Sequence, residues 1–199
     1  MKTVPIVFAF DNNLVLPACI CISSLLMNAK EDTFYDIFIL HSSKIDLHKG
    51  QLDELPNYFK RCRIQYRVVD NTFDQAFEIR GITAATYYRL LIPELIPEYD
   101  KVIYTDVDII FRMDLSELYN TEIGDNYIAA TRELGMNLTE DGQKHIHSLS
   151  TLSVGNYIQA GFIIINTKAI LKDNIHIQLK EWSDKKLKFQ DQDILNIVC

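Results

Sequence analysis

A chain of 199 residues with 48% hydrophobic and 24% charged residues has the make-up of one soluble globular domain. Its formal net charge of −7 and pI near 5.2 exclude a general nucleic-acid or anionic-membrane surface. Four cysteines (Cys19, Cys21, Cys62, Cys199) show no Cys-x-x-Cys spacing, which reads as reduced thiols in a cytosolic protein, not as a disulfide frame or a zinc site.

The apolar stretch after Met1-Lys2 is too short for a signal peptide, lacks a small-residue cleavage site, and stops at Asp11-Asn12-Asn13. Residues 4–10 are instead expected to form a buried strand. Pro17 stands near the start of an apolar segment that runs to about Lys30. The segment is too long for a strand and suits a helix, since proline is tolerated in a first turn. Residues 34–40 predict a second strand. Ser42 and Ser43 are candidate caps for a helix over 44–59, with Leu47, Leu52 and Leu55 on its apolar side. Residues 62–69 predict a third strand. The order up to Val69 is β-α-β-α-β, the signature of a parallel sheet covered by helices.

Residues 82–96 predict a further helix, capped by Thr83 and bent or ended by Pro93. A strand then carries Asp106 and Asp108. Residues 114–119 predict a short helix, 127–131 a strand, 158–166 a strand interrupted by Ala160-Gly161, and 170–188 an amphipathic helix around Trp182. The polar region 137–156 is expected to be a mobile loop with some helix. A last helical start at 194–198 stops without a cap, so the natural domain is expected to continue past Cys199. No run is long enough to span a bilayer.

Asp106-Val107-Asp108 ends a run of β-prone residues and is followed at once by Ile109-Ile110-Phe111. Unpaired carboxylates beside apolar surface are costly to desolvate. Residues i and i+2 of a strand share a face, and two carboxylates on one face are tolerated if a cation lies between them. Oxygen ligands suit Mg²⁺ or Mn²⁺. The alternative is a turn, where aspartate is common. Side chains at i and i+2 start about 6.5–7 Å apart, while such metal bonds are about 2 Å. Chelation by both therefore requires the chain to bend at Val107.

In parallel α/β sheets, ligands bind beyond the carboxyl ends of strands. Three polar clusters lie there: Asp11 with Asn13, Asp106 with Asp108, and Gln159-Ala160-Gly161, whose small residues permit close approach to backbone. Arg89, on an otherwise apolar segment, is either a partner for acids or phosphate or a snorkelling surface residue. The five histidines show no ligand spacing and read as structural. No Gly-x-Gly-x-x-Gly, Walker loop or Ser-His-Asp set is present.

Four blocks stand in order: Ile6-Val-Phe-Ala9-Phe-Asp11-Asn-Asn13; Thr86-Tyr-Tyr-Arg89-Leu; Lys101-Val-Ile-Tyr-Thr-Asp106-Val-Asp108; and Ala160-Gly161-Phe-Ile-Ile-Ile-Asn166 with Phe189-Gln-Asp191-Gln192-Asp-Ile-Leu-Asn196. Together they resemble the glycosyltransferase family 8 enzymes, the group that includes bacterial lipopolysaccharide galactosyltransferases and glycogenin. The resemblance implies an α/β GT-A fold with a mostly parallel central sheet flanked by helices. It implies one catalytic domain over residues 1–199, short of its C-terminal part. It implies a UDP-sugar donor, a glycan or lipid-linked saccharide acceptor, no nucleic acid, and Mn²⁺, with Mg²⁺ possible.

By matching positions, Ala9, Asp11 and Asn13 would line a uridine pocket, and Ile82 would border the nucleotide. Arg89 would face the donor. Asp106 and Asp108 would hold the metal, with Val107 between them at the donor. Gln159, Ala160, Gly161 and Asp191 would contact the donor sugar, and Gln192 would sit nearest the anomeric carbon. Glu133 falls where an acid approaches the sugar or acceptor.

The expected activity is retaining transfer of glucose or galactose into lipopolysaccharide or another cell-surface polysaccharide, in the cytoplasm or at the inner face of the membrane. A glutamine is a poor nucleophile, so same-face attack is expected in place of double displacement. Two departures stand out. Gln159 replaces a frequent Asn, and the later His and Lys that would complete metal and diphosphate binding are absent. A non-catalytic UDP-sugar-binding domain and, less favoured, a nucleotidyltransferase are the competing expectations.

Overall fold

The computed structural model describes residues 1–73, 83–149 and 153–199. Six strands form one sheet: β1 (Lys2–Ala9), β2 (Thr33–Ser42), β3 (Cys62–Val69), β4 (Val102–Thr105), β5 (Ile128–Arg132) and β6 (Ile158–Ile165). Their spatial order is β3-β2-β1-β4-β6-β5. The first four run parallel, and β6 lies antiparallel between β4 and β5. β1 and β2 are apolar on both faces because both faces are covered, as buried parallel strands require.

Alternation assigns each side chain to a layer. Ile6, Phe8 and Ile103 face helix α1 (Val15–Met27) and α2 (Gly50–Tyr58), packing on Ala18, Ile22 and Leu52. Val7, Val102 and Tyr104 face the other way. They meet Tyr87, Leu90 and Leu91 of a 3-10 segment (Ala84–Leu91), together with Leu179 and Ile194. All of these except Leu91 are about 1% exposed or less, and each fully buried side chain of this size contributes about 1.5–3 kcal/mol.

Several elements differ from expectation for local reasons. The helix over 44–59 begins only at Gly50, because Ser42 Oγ accepts from Lys44 N and Ser43 N donates to Val69 O, making a turn instead of a cap. The segment from Ala84 is eight residues of 3-10 helix before α3 (Ile92–Leu95), and Pro93 lies in the first turn of α3 without breaking it. Ile82, the expected start of that helix, lies outside the described residues. β6 is one strand through Ala160-Gly161, although its pairing with β5 shifts register there, from Ala130–Ile163 to Arg132–Ile158.

The helix over 170–188 is two, α7 (Thr167–Lys172) and α8 (Ile175–Ser183), parted where Asn174 takes a left-handed φ of 59°. A short α4 (Ser116–Tyr119) precedes β5. The polar region after β5 is largely helical, with α5 (Leu134–Leu138) and α6 (Glu140–Ser148). Buried Asn137 organises it, donating to Glu133 O and Tyr157 O and accepting from Gly155 N and Tyr157 N. The last helix, α9 (Gln190–Val198), starts four residues earlier than predicted. No described helix is long and apolar enough to cross a membrane.

Candidate active site

The carboxyl ends of β1 and β4 and the start of β6 meet along one edge of the sheet. β4 stops at Thr105, and the Asp106 N–H donates to Gly161 O at 2.8 Å. The backbone then bends at Val107-Asp108, where pure strand geometry could not serve two ligands. Val107 turns into the core at 5% exposure, leaving Asp106 half-buried and Asp108 exposed. At the end of β1, Asp11 caps a single 3-10 turn (Asn12–Leu14), accepting from Asn13 N at 2.9 Å.

Two chambers open here. The larger, about 490 Å³, is lined by Ala9, Asp11, Asn13, Val107 and Asp108 among others. The smaller, about 190 Å³, is lined by Gln159, Ala160, Gly161, Asp191 and Gln192, with Lys188 and Phe189. Thr86, Arg89 and Asp106 line both and form the wall between them.

That wall is held by Arg89, which is buried and not a surface residue. Its Nη2 donates to Asp106 Oδ1 at 3.0 Å, its Nη1 to Ala160 O at 2.5 Å and its Nε to Thr86 O at 3.0 Å, while Nε lies 2.9 Å from Asp191 Oδ2 as an ion pair. The 3-10 repeat of three residues per turn stacks Thr86 over Arg89. Thr86 Oγ1 donates to Asp191 Oδ1 at 2.6 Å. The guanidinium lies 4.4 Å from the Tyr104 ring centre, and the Tyr104 hydroxyl donates to Asp106 Oδ1 at 2.8 Å.

Burial alone would pull the Arg89 pKa down, but Asp191, Tyr104 and Asp106 raise it above its ordinary value, so it stays charged. Burial pushes the Asp191 carboxyl up, while Arg89 and Thr86 pull against that rise.

The smaller chamber is built on α9. Gln192 Oε1 accepts from Ala160 N at 3.1 Å, which fixes its amide against β6. Gln159 turns its Oε1 back to Gly161 N and Phe162 N, at 2.9 and 3.2 Å. At the start of α9, Gln190 has a left-handed φ of 44°, a strained value for a side-chain-bearing residue. Beneath it, fully buried Asp193 accepts from Tyr157 OH at 2.6 Å and Phe189 N at 2.9 Å, and pairs with His145 Nε2 at 2.8 Å. Asn196 adds bonds to both backbone groups of Ile158.

Of the residues singled out from sequence, Ala9, Asp11, Asn13, Arg89, Asp106, Val107, Asp108, Gln159, Ala160, Gly161, Asp191 and Gln192 line one or both chambers. Ile82 lies outside the described residues. Glu133 lines neither chamber and caps α5, accepting from Gly135 N at 3.0 Å. Sequence reasoning missed Thr86, Tyr104 and Lys188 as lining residues and Asp193 as the anchor of α9. Thr86 stands three before Arg89, a spacing that one 3-10 turn puts on the same face, whereas no spacing marked Asp193.

The carboxylates also test whether a cation fits. Asp106 Oδ1 takes both of that residue's side-chain bonds, and among the described residues no hydrogen bond reaches Oδ2 or the Asp108 carboxylate. A Cβ on Gly161 would lie 2.6 Å from Asp106 Oδ2 and 2.5 Å from Gln159 Nε2, so only glycine leaves that oxygen its space. One guanidinium among three carboxylates leaves an excess of negative charge. Two hard oxygen donors beside that space suit a divalent cation of the Mg²⁺ or Mn²⁺ kind. Among the described residues no third His, Cys, Asp or Glu joins them.

The sequence matches glycosyl transferase family 8 over residues 5–199. The chain belongs to that family. A lipopolysaccharide 1,2-glucosyltransferase of Escherichia coli is 27% identical over 205 residues, covering 99% of this chain and 59% of its own. A lipopolysaccharide 1,3-galactosyltransferase of Salmonella typhimurium is 26% identical over 200 residues, covering 96% and 58%. A crystal structure of the galactosyltransferase LgtC, in complex with donor and acceptor sugar analogues, matches with a TM-score of 0.79 at 28% identity, over 97% of this chain and 69% of that one.

This family 8 chain therefore spans about three fifths of the length of the curated relatives it matches. Its sheet, parallel but for β6 and covered on both faces, is the GT-A arrangement expected from the motifs.

Proposed function

We propose that this family 8 chain carries a retaining hexosyltransferase, moving glucose or galactose from a UDP-sugar to a glycan or lipid-linked saccharide in lipopolysaccharide or cell-surface polysaccharide synthesis. The observation that carries the reading is the shared wall. Arg89 and Asp106 separate a large chamber with nucleotide-type polar groups from a small one with sugar-type amides and a carboxylate. A nucleotide on one side and a hexose on the other would place the bond to be broken beside Asp106.

Asp106 and Asp108 would hold the divalent cation, Mn²⁺ by family resemblance, which when bound neutralises charge on the diphosphate. Arg89 adds no spare charge, because Asp106 and Asp191 already engage it. Its role is to hold both carboxylates in place.

Double displacement needs a free carboxylate against the sugar. The two carboxylates of the small chamber are unsuited to it. Asp191 accepts from Thr86 at one oxygen and is ion-paired with Arg89 at the other, and Asp106 is bonded at one and faces Gly161 with the other. Gln192 offers a fixed dipole. The acceptor hydroxyl would then attack the anomeric carbon on the face that the diphosphate leaves, and its proton would pass to the departing diphosphate oxygen. The free cysteines support a reducing, cytoplasmic location.

The test is calorimetric titration of UDP with and without Mn²⁺, followed by UDP release from UDP-glucose and UDP-galactose and NMR of the product anomer. Absence of UDP binding in the presence of Mn²⁺ sinks the proposal, and an inverted product sinks the retaining route.

A further inference from the structure

Lys188 lines the smaller chamber only, and it is exposed at that chamber's mouth. Its ammonium lies 5.2 Å from the centre of the Phe189 ring. It belongs to the connection between α8 and α9, where Lys185 and Lys186 are exposed as well. Among the described residues none of these three lysines meets a carboxylate at ion-pair distance. Lys30, Lys144, Lys168 and Lys180 each do, whereas Lys2, Lys49, Lys60, Lys101 and Lys172 likewise do not.

Lys185, Lys186 and Lys188 place three unpaired cations within four positions, next to exposed Glu181 and Asp184, and of the three only Lys188 lines the chamber. The carboxylates of the chamber do not explain them, because Asp106 and Asp191 are served by Arg89 and buried Asp193 by His145 and Tyr157.

We propose that Lys188 marks an anion subsite at this mouth, and that the saccharide acceptor carries a phosphate or carboxylate that binds there. The inference rests on the donor reading given above and adds the class of acceptor. The deep end of the chamber is bounded by Asp106, Asp191 and Gln192, so a donor hexose fills it and the acceptor enters past Lys188. An acidic protein repels an anionic acceptor at long range. A local lysine cluster reverses the field over the distance of a Debye length, about 8–10 Å at ordinary salt, and gives the acceptor an orientation. An ammonium on a flexible stem suits a point charge that is either phosphate or carboxylate.

The experiment is calorimetric titration of the protein with galactose, galactose 6-phosphate and galacturonate, in the presence of UDP and Mn²⁺ and at two salt concentrations. One or both anions are expected to bind about tenfold more tightly than galactose at low salt, and the phosphate and uronate arms distinguish the two sources of charge. The preference should vanish in Lys188→Gln, reverse in Lys188→Glu, survive in Lys188→Arg and shrink at high salt.

Anions that bind no better than galactose, or a preference that survives Lys188→Gln, overturn the subsite. A fall in UDP affinity in Lys188→Gln that matches any fall for the sugars overturns it too, since the lysine would then serve the diphosphate. Sedimentation with phosphatidylglycerol vesicles covers the remaining alternative. If neutralising all three lysines releases the protein from vesicles while the sugar preference stays, the cluster serves a lipid surface and the proposal fails. UDP binding by the unmodified protein is read separately, so failure of the donor reading shows as its loss alone.

Discussion

Arg89 lies 2.9 Å from Asp191, tying the 3-10 segment over the sheet to the first turn of α9. Both side chains are buried, and the same guanidinium holds Asp106. Removing the cation leaves a buried carboxylate without its counter-charge, a change that costs about 3–5 kcal/mol in comparable pairs. Arg89→Ala is therefore expected to lower the unfolding free energy from urea melts by that order, with a lower midpoint, and to abolish UDP binding. Arg89→Lys keeps charge but loses the fork that reaches two carboxylates and Ala160 O, and should recover stability only in part. Urea melts followed by tryptophan fluorescence measure both, since Trp182 packs against the same core cluster. A wild-type midpoint for Arg89→Ala refutes the structural role.

Asp106 and Asp108 should part company under substitution. Asp108 is exposed and makes no side-chain bond among the described residues, so Asp108→Asn should change stability by less than about 0.5 kcal/mol. Asp106→Asn weakens a partner of Arg89 and Tyr104 and should also lower the melting temperature. Both variants are expected to lose the Mn²⁺-dependent part of UDP binding, at least tenfold. Calorimetry beside thermal melts separates the two effects. An Asp108→Asn protein that keeps full metal-dependent affinity removes that residue from the site.

Much of this was readable before any coordinates. Buried parallel strands are continuous apolar runs, so β1, β2 and the strand into Asp106 announce themselves, and polar residues at their ends mark the site. Legibility failed where a local pattern is overridden by a distant partner. Nothing local says that 84–91 is 3-10; the Thr86–Arg89–Asp191 linkage does, and Asp191 is far along the chain. The polar stretch after β5 reads as loop because its organiser, Asn137, is a polar residue that buries its amide against Tyr157. Asp193 reads as one more acid in a polar run until Tyr157 and His145 are seen to surround it.

Gly161→Ala tests the space kept for the metal-side oxygen. The new methyl would meet Asp106 Oδ2 at 2.6 Å and Gln159 Nε2 at 2.5 Å. Neither group is free to swing away, because Arg89, Tyr104 and the β6 backbone hold them. Overpacking of this sort costs about 1–3 kcal/mol. The protein should still fold, with UDP affinity in Mn²⁺ reduced at least tenfold and UDP affinity without metal little changed. Equal loss in both conditions would mean that the glycine serves the backbone path and not the oxygen.

Asp114 contributes to the acid limb of stability. Burial would raise its carboxyl, but the Ser116 hydroxyl and backbone, Lys30 N and Tyr35 OH bring it down from 3.8 to about 2. A carboxylate lowered by folding contributes stability that is complete above its unfolded pKa and fades as pH falls through its folded one. The loss from this residue should therefore develop between about pH 4 and pH 2. Asp114→Asn removes that contribution, so wild type and variant should differ in urea midpoint at pH 6 and converge toward pH 2. Parallel pH profiles with a constant gap would show that Asp114 acts through packing and not through its charge.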